Sequence, residues 1–219
     1  MKTEDQTISA IEEVITLLVK VSAKPGSVAK AREALFADVR GARTESGNYK
    51  MEIYQADGDT DSFHLIERWQ NQAQLEYHFV QPYTAGAFAL QQNDLTEPIQ
   101  MIYLTDLWPT AQNLQKVHHR PLTTLIVPFE VKPGKADAAF IDLWEPFVAA
   151  VRNEPGNVDF HFHRVKDSDT SFVLYERWES QSDLDAHNQL ASTAAMIEAI
   201  TPLLTKPVIE FVLFVKDIF

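Results

Sequence analysis

A tryptophan is followed nine residues later by a histidine at two places in the chain, and a glutamate stands two residues before each tryptophan. The two sets are Glu67, Trp69 and His78, and Glu176, Trp178 and His187. Histidine gains or loses a proton near neutral pH, and burial can raise the pKa of a glutamate toward the same range. Such groups can exchange protons with a bound molecule, so both sets are candidate functional sites.

The elements that carry these residues predict that each set borders one interior cleft. Side chains alternate along a strand, so the glutamate and tryptophan of each Glu-Arg-Trp segment share a face. Each histidine lies three residues after Leu75 or Leu184, at the spacing of an apolar helix face. Tryptophan and histidine are also common in protein cores, and a buried glutamate can simply bind a neighbouring arginine or a backbone amide. Both interpretations are open at this level.

The two sets belong to a duplication that covers most of the chain. Pairing each residue with the residue 109 positions later aligns several identical segments. They are Gly47-Asn48 with Gly156-Asn157, Glu67-Arg68-Trp69 with Glu176-Arg177-Trp178, His78 with His187, and Pro98 with Pro207. The Lys-Pro-Gly segments match at an offset of 108. A period of this size is that of a domain, so we predict two homologous domains, 12–109 and 121–219, joined by a linker, 110–120.

Each copy has the pattern β-α-β-β-α-β. An apolar, β-rich segment, 14–21, ends at Lys24-Pro25-Gly26, and Ser27 can cap the helix that follows. Two strands, 49–56 and 62–69, flank a hairpin turn, and further helical segments and a last strand complete the copy. This order is the ferredoxin-like arrangement, an antiparallel sheet with helices on one face. The predicted fold class is therefore α+β, with two such sheets able to cover each other.

Composition limits the classes of function. The formal net charge is −12 and both halves are acidic, so binding to a nucleic-acid phosphate backbone is not expected. No apolar run approaches the length of a membrane span, and the polar start lacks a secretory signal, so we expect a cytoplasmic protein without a membrane partner. Cysteine is absent, which excludes disulfides and thiolate metal sites.

Three further motifs are weaker candidates for a metal site. His161 and His163 alternate onto one strand face, but no third ligand is evident nearby, and we expect a solvated or interface pair. Asp57-Gly58-Asp59 resembles part of a calcium loop whose spacing does not continue. His118 and His119 lie in the predicted linker, where we expect them to be exposed. We therefore predict no bound metal.

Each half resembles the antibiotic biosynthesis monooxygenase domain of the dimeric α/β-barrel superfamily. The resemblance rests on the strand followed by Lys-Pro-Gly, the Glu-Arg-Trp strand end and the histidine on the next helix, in that order and twice. It implies that the two antiparallel sheets pack as an intramolecular dimeric α/β barrel. The chain would then be a pseudo-dimer by itself, and a further pairing of two chains into a homodimer stays open.

The resemblance implies a cofactor-independent oxidation of an aromatic hydroquinone or phenol by O₂. A base must remove the phenolic proton because the anion donates an electron to O₂ more readily, and His78 and His187 match the family's histidine position. Trp69 and Trp178 would bound a dry cleft and donate an N–H to a substrate oxygen. The candidates for substrate binding are Glu67, Glu176, Tyr54, Phe79 and Tyr83. Because the neighbours of the two histidines differ, we expect one site to be inactive.

Two alternatives remain open within the same resemblance. In a haem-degrading branch the histidine would be the axial iron ligand. That branch also uses an asparagine on the first strand, and neither VITLLVKV nor LTTLIVPFEV contains one. The other alternative is a non-catalytic small-ligand-binding or structural protein. Leu65 and Leu174 stand where some oxygenase members have an asparagine, and this difference favours the non-catalytic alternative.

Overall fold

The computed structural model describes residues 13–110, 121–135 and 138–219. Within these residues the chain forms eight strands, six α-helices and three short 3₁₀ turns. The strands are β1 (Ile15–Ser22), β2 (Asn48–Ala56), β3 (Ser62–Trp69), β4 (Gln100–Trp108), β5 (Thr123–Glu130), β6 (Asn157–Val165), β7 (Ser171–Trp178) and β8 (Leu213–Asp217). The helices are α1 (Val28–Ala42), α2 (Gln72–Phe79), α3 (Pro82–Ala89), α4 (Ala138–Val151), α5 (Gln181–Asn188) and α6 (Ala191–Ile200). The 3₁₀ turns are Leu90–Gln92, Thr201–Leu203 and Val208–Glu210.

The eight strands close into a single barrel in the order β1-β3-β2-β8-β5-β7-β6-β4. β4 pairs with β1 of its own half and with β6 of the other half, and β8 likewise pairs with β5 and with β2. The predicted α+β class and the intramolecular barrel are confirmed. The halves join edge to edge through their fourth strands, a contact that the repeat pattern did not reveal. Residues 111–120 of the predicted linker, with His118 and His119, lie outside the described residues.

The inner face of the barrel carries polar side chains that connect the two halves. An eight-stranded barrel has an interior just wide enough for side chains to fill. Lys50 Nζ lies 3.0 Å from Asp159 Oδ2, and these residues occupy equivalent positions in the two halves. The hydroxyl groups of Tyr54 and Tyr175 are 2.6 Å apart. Each half therefore provides hydrogen-bond partners for buried polar groups of the other.

His161 and His163 also lie inside the barrel, so of the two expected alternatives, a solvated pair or an interface pair, the solvated pair is wrong. Both are buried, and His163 Nε2 lies 3.3 Å from Asp106 Oδ1 of the first half. They thus belong to the contact between the halves, and burial lowers the pKa of both imidazoles. Among the described residues, no group of three or more His, Cys, Asp or Glu side chains is arranged to hold a metal ion.

The helices cover the outer face of the barrel and form one apolar core in each half. The first core includes Leu17, Leu35, Val39, Trp69 and Leu75. The second includes the equivalent residues Leu125, Trp144, Val148, Trp178 and Leu184. The alternation of the strands thus divides their side chains between two separate apolar layers under the helices and a shared interior. In that interior the polar groups stand beside a third apolar cluster, which includes Leu18, Ile66, Leu104, Ile126, Val173 and Val215.

The turns after β1 and β5 require glycine. Gly26 has φ +91° and Gly134 has φ +72°, a conformation that other residues rarely adopt. Ser27 precedes α1, but its side chain makes no capping bond to the helix, so the predicted side-chain cap is wrong. Its hydroxyl instead donates to Asp94 Oδ1 at 3.0 Å, which ties this turn to the loop before β4.

Candidate functional site

Each half brings its tryptophan, glutamate and histidine together between the barrel and the helices. In the second half, β7 carries Glu176 and Trp178, and α5 carries His187. Trp178 Nε1 donates a hydrogen bond to Glu176 Oε2 at 2.9 Å, and the indole and imidazole centroids are 4.8 Å apart. The corresponding distances in the first half are 3.0 Å and 4.5 Å. The three residue types are therefore neighbours in both halves.

Local sequence fixes where each imidazole lies. Ser180 caps α5 directly after β7, because its side chain accepts a hydrogen bond from the backbone N–H of Asp183. Leu184 then packs into the core, and His187 follows three residues later on the same helix face. Asn71 caps α2 in the same way in the first half. The histidine is thus held by a rigid element against the strand that carries the tryptophan.

A second glutamate, which was not predicted from the sequence, binds each histidine. His187 Nδ1 lies 2.8 Å from Glu154 Oε2, and His78 Nδ1 lies 2.8 Å from Glu45 Oε1. Both glutamates stand two residues before an aligned glycine at the 109-residue offset, and this was the signal that could have identified them. A carboxylate only accepts hydrogen bonds, so in a neutral imidazole Nδ1 is the donor and Nε2 carries the lone pair.

The strand-borne glutamates have pKa values near neutrality. Burial raises the pKa of Glu67 and of Glu176 to about 7, and the hydrogen bond from the neighbouring indole opposes that rise in both. A carboxyl group with this pKa can take up or release a proton near neutral pH. Each half therefore places a second titratable group beside its histidine, as is frequent in functional sites.

A cavity of about 320 Å³ lies beside His187 in the second half. Small-molecule sites in proteins have volumes of about 300–1,000 Å³. The polar residues that line this cavity are Glu176, His187, Asn188, Thr193 and Thr201. The remaining lining residues are apolar, and they include Leu125, Val127, Phe129, Trp144, Phe147 and Leu174. An apolar chamber with a few convergent polar groups is the usual form of a small-molecule site.

The first half has a cavity of only about 30 Å³ beside His78. There, Nε2 of His78 lies 3.6 Å from Asp38 Oδ1 and 3.3 Å from the hydroxyl of Thr84. Phe147 stands in the second half where Asp38 stands in the first. Within the described part of the chain, Nε2 of His187 has no hydrogen-bond partner. Only the second histidine therefore combines a free ring nitrogen with room for a ligand.

The second cavity is open because β8 begins late. β4 pairs with β1 along residues 16–20, whereas β8 pairs with β5 only along residues 124–126. Pro128 stands in β5 where Lys20 stands in β1, and proline has no N–H to donate to a neighbouring strand. The chain before β8 forms the 3₁₀ turn Val208–Glu210 instead, and this turn lines the cavity.

The other predicted site residues lie in different surroundings. Neither Trp69 nor Trp178 lines either of these two cavities. The indole N–H of each donates a hydrogen bond to a glutamate instead of facing a ligand. Tyr54 lies in the barrel interior, because the β2–β3 register pairs it with His64 on the strand face opposite Glu67. Phe79 lines the small cavity. Tyr83 donates its hydroxyl to Glu45 Oε1 at 2.7 Å.

The model of the antibiotic biosynthesis monooxygenase family matches the chain twice, at residues 14–89 and 123–199. An uncharacterized protein of Synechocystis sp. is 35% identical over 78 residues, which are 36% of this chain and 52% of that protein. The chain thus spans about half the length of the curated relative that it matches. No helix among the described residues has the length and apolar character that a membrane crossing requires.

Several solved structures have a similar fold. A candidate monooxygenase of Fusobacterium nucleatum aligns with a TM-score of 0.76 and 11% identity over 95% of each chain. One of Lactobacillus acidophilus aligns with a TM-score of 0.71 and 15% identity, over 95% of this chain and 94% of that chain. An anthrone oxidase-like protein aligns with a TM-score of 0.66 and 16% identity, over 97% and 94%. At these identities the likeness concerns the fold alone.

Proposed function

The chain belongs to the antibiotic biosynthesis monooxygenase family, and from this premise we propose that it oxidises an aromatic hydroquinone or phenol with O₂, without a cofactor, in the cavity of the second half. One observation carries the proposal. His187 lines an apolar cavity of about 320 Å³, with Nδ1 held by Glu154 and Nε2 without a partner among the described residues. A base in such a place can reach the hydroxyl of a bound ring.

His187 acts as the general base in this reaction. Because Nδ1–H is donated to Glu154, the lone pair on Nε2 accepts the phenolic proton, and the Glu154 charge stabilises the imidazolium that forms. The electron-rich phenolate reduces O₂ directly. One oxygen atom replaces two hydrogens of the substrate and becomes a carbonyl, and the other leaves as water. The substrate supplies all the electrons, so the balance needs no other reductant.

The lining supports the same chemistry. Phe147 and Phe160 have ring centroids 6.1 Å and 5.9 Å from that of His187, and they offer apolar faces to an aromatic ligand. Glu176, with a pKa raised by burial to about 7, is partly protonated at neutral pH. Its O–H can then donate a hydrogen bond to an oxygen of the ring. The protein thus contributes a base, a hydrogen-bond donor and a site that excludes water.

Oxygen uptake tests this proposal. The full chain is mixed with reduced menadione or with a polycyclic hydroquinone, and O₂ consumption is compared with the rate of autoxidation. We expect one O₂ consumed per substrate and a loss of at least about 100-fold in His187→Ala, the lower range for removal of a general base. Uptake that is equal to autoxidation across the panel, or that survives His187→Ala unchanged, would overturn the proposal.

A non-catalytic ligand-binding protein is the second candidate. Leu174 favours it, because this leucine lines the cavity at the position where some oxygenase members have an asparagine. The same panel separates the two functions. Quenching of tryptophan fluorescence by a hydroquinone without oxygen uptake would support the binding protein. A Soret band on addition of haem would instead support the haem-binding branch.

A further inference from the structure

Exposed apolar side chains surround the opening of the cavity in the second half. Ile197 on α6, Ile209 in the last 3₁₀ turn and Phe214 on β8 all line the cavity, and they are 41%, 71% and 40% exposed. These three residues are named the apolar collar. Glu176 and His187 line the same cavity but are buried. The cavity therefore passes from titratable groups in the interior to hydrocarbon at the surface.

We propose that the ligand of this cavity is amphiphilic: an aromatic hydroxyl compound whose hydrocarbon chain leaves the cavity over the apolar collar. The aromatic hydroxyl group of this ligand follows from the proposed function, whereas its hydrocarbon chain is inferred from the apolar collar. Single exposed apolar residues are common on protein surfaces, but a contiguous apolar patch marks a binding site. A chain that emerges from the cavity removes the collar and itself from water together.

The first half indicates that the fold itself does not require the collar. Among the described residues, β4 is a continuous strand from Gln100, and no turn equivalent to Val208–Glu210 precedes it. Leu17 pairs with Tyr103 as Leu125 pairs with Phe214, so Phe214 has an aromatic counterpart, but Ile209 lies in the extra turn. The turn therefore adds an exposed isoleucine at the half that also has the larger cavity.

Other occupants fit the collar less well. A second copy of the chain would require a contact of about 800 Å² on each partner, and three side chains supply only part of such a surface. A net charge of −12 opposes adsorption to an anionic membrane. A hydrocarbon chain on the ligand needs neither a large area nor opposite charge. It is favoured because the three exposed residues of the collar are also lining residues of the cavity.

A chain-length series tests the inference with the full protein. The probes are 2-alkyl-1,4-hydroquinones from methyl to octyl, and their Kd values are measured by calorimetry under argon. Each buried methylene contributes about three- to fourfold in affinity, so we expect Kd to fall by about threefold per carbon along the collar. Ile209→Ser and Phe214→Ser should flatten this to less than about twofold per carbon. Val80→Ser is the control, because Val80 is 77% exposed and does not line the cavity.

Two outcomes would overturn the inference. One is a Kd in the wild-type protein that does not depend on chain length. The other is the same dependence in the collar variants as in Val80→Ser, which would indicate binding elsewhere. Argon prevents turnover, so a failure of the oxidation leaves this measurement intact. Oxygen uptake with reduced menadione, together with a Kd that does not depend on alkyl chain length, would support the proposed function and contradict the inference of a hydrocarbon chain.

Discussion

The two halves of the chain hold the same four residues, two glutamates, a tryptophan and a histidine, in nearly the same geometry, yet the cavity volumes differ about tenfold, 30 Å³ against 320 Å³. The centroid distances between indole and imidazole are 4.5 Å and 4.8 Å, and both Nδ1 to carboxylate distances are 2.8 Å. The tetrad of two glutamates, tryptophan and histidine therefore forms without a binding cavity. Its presence alone does not identify a site, and the surrounding residues decide whether a ligand has room.

The residues around the imidazoles explain the difference in chemical terms. His78 is enclosed by Asp38, Thr84 and the Glu45–Tyr83 pair, which occupy both of its ring nitrogens. In the second half the hydroxyl of Thr193, equivalent to Thr84, has no hydrogen-bond partner among the described residues. Polar groups that are satisfied internally in one half are thus left for a ligand in the other.

The largest expected effect concerns the place where the halves meet. Asp159→Asn leaves Lys50 buried without its nearest carboxylate, which lies 3.0 Å away in the native protein. Removing one partner of a buried ion pair costs about 3–5 kcal/mol, and we expect the free energy of unfolding, measured by urea denaturation, to fall by this amount.

The double variant Lys50→Met, Asp159→Asn is the control for this expectation. It removes the buried charge of Lys50, while Arg177, whose Nη1 lies 3.3 Å from Asp159 Oδ2, still lacks that carboxylate, so part of the lost stability should return. The pair places opposite charges at equivalent positions of the two halves. A double variant no more stable than Asp159→Asn would show that the pair does not hold the halves together.

The next effect is a dependence of stability on pH from Glu67 and Glu176. Their pKa values are raised to about 7 in the folded protein, above about 4.5 in the unfolded chain. The folded state therefore retains a proton that the unfolded state releases. The contribution of each carboxyl group to the free energy of unfolding is fully present below pH 4.5 and is lost as pH rises through 7. At about 1.4 kcal/mol per pKa unit, each site loses about 3 kcal/mol.

Glutamine variants measure this loss one half at a time. The free energy of unfolding of Glu67→Gln and Glu176→Gln is measured in urea at pH 4.5 and pH 7.5. Relative to that of the wild-type protein, it should be higher at pH 7.5 than at pH 4.5 for each variant. This gain should be similar for the two variants, because burial raises the pKa of both glutamates to about 7. A difference from wild type that is equal at both pH values would contradict the raised pKa values.

The third effect compares the two histidines directly. His187→Ala should reduce kcat/KM for a hydroquinone by at least about 100-fold, which is about 2.7 kcal/mol. His78→Ala should change it by less than about threefold, because the cavity beside His78 is too small for an aromatic ring. Oxygen uptake of the two variants at matched protein concentration gives the ratio. Equal losses would mean that both halves are active or that neither histidine is the base.

Sequence patterns predicted the architecture because duplication and alternation repeat over many residues. The offset of 109 aligns both Glu-Arg-Trp strands, and period-two alternation placed Glu67 and Trp69 on one face. The edge pairing of β4 with β6 was not predictable in this way, since an exposed edge strand and a paired one have the same pattern. The face of Tyr54 was not predictable either, because it depends on the register of the β2–β3 hairpin, and alternation within a single strand does not fix that register.

The cavity depends on a small irregularity that the repeat conceals. Pro98 and Pro207 align at an offset of 109, but Leu104 and Val215, which pair with the equivalent residues of β1 and β5, are 111 apart. Two added residues in an apolar segment change no pattern, although they form the turn and shorten β8. The signal that was present is Pro128, which is out of place in a central strand.

The smallest expected effect concerns the glutamates that hold the histidines. Glu154→Gln keeps a hydrogen bond to Nδ1 of His187 but removes the charge that stabilises the imidazolium. A hydrogen bond to a charged partner is worth about 1 kcal/mol more than one to a neutral partner, and about 1.4 kcal/mol is tenfold in rate, so we expect kcat to fall about five- to tenfold. The pH at which activity is half lost on the acidic side should also fall, and the pH profile of kcat measures both.

The first half provides the matched control for this last expectation. Glu45→Gln alters the equivalent glutamate beside His78, at the same 2.8 Å distance, and it should leave the pH profile unchanged. A variant that merely loosened the fold would lower kcat at all pH values without moving the profile. A shift in Glu154→Gln alone would therefore assign a positioning role to Glu154. The same shift in both variants, or in neither, would mean that the carboxylate beside the imidazole serves only the fold in both halves.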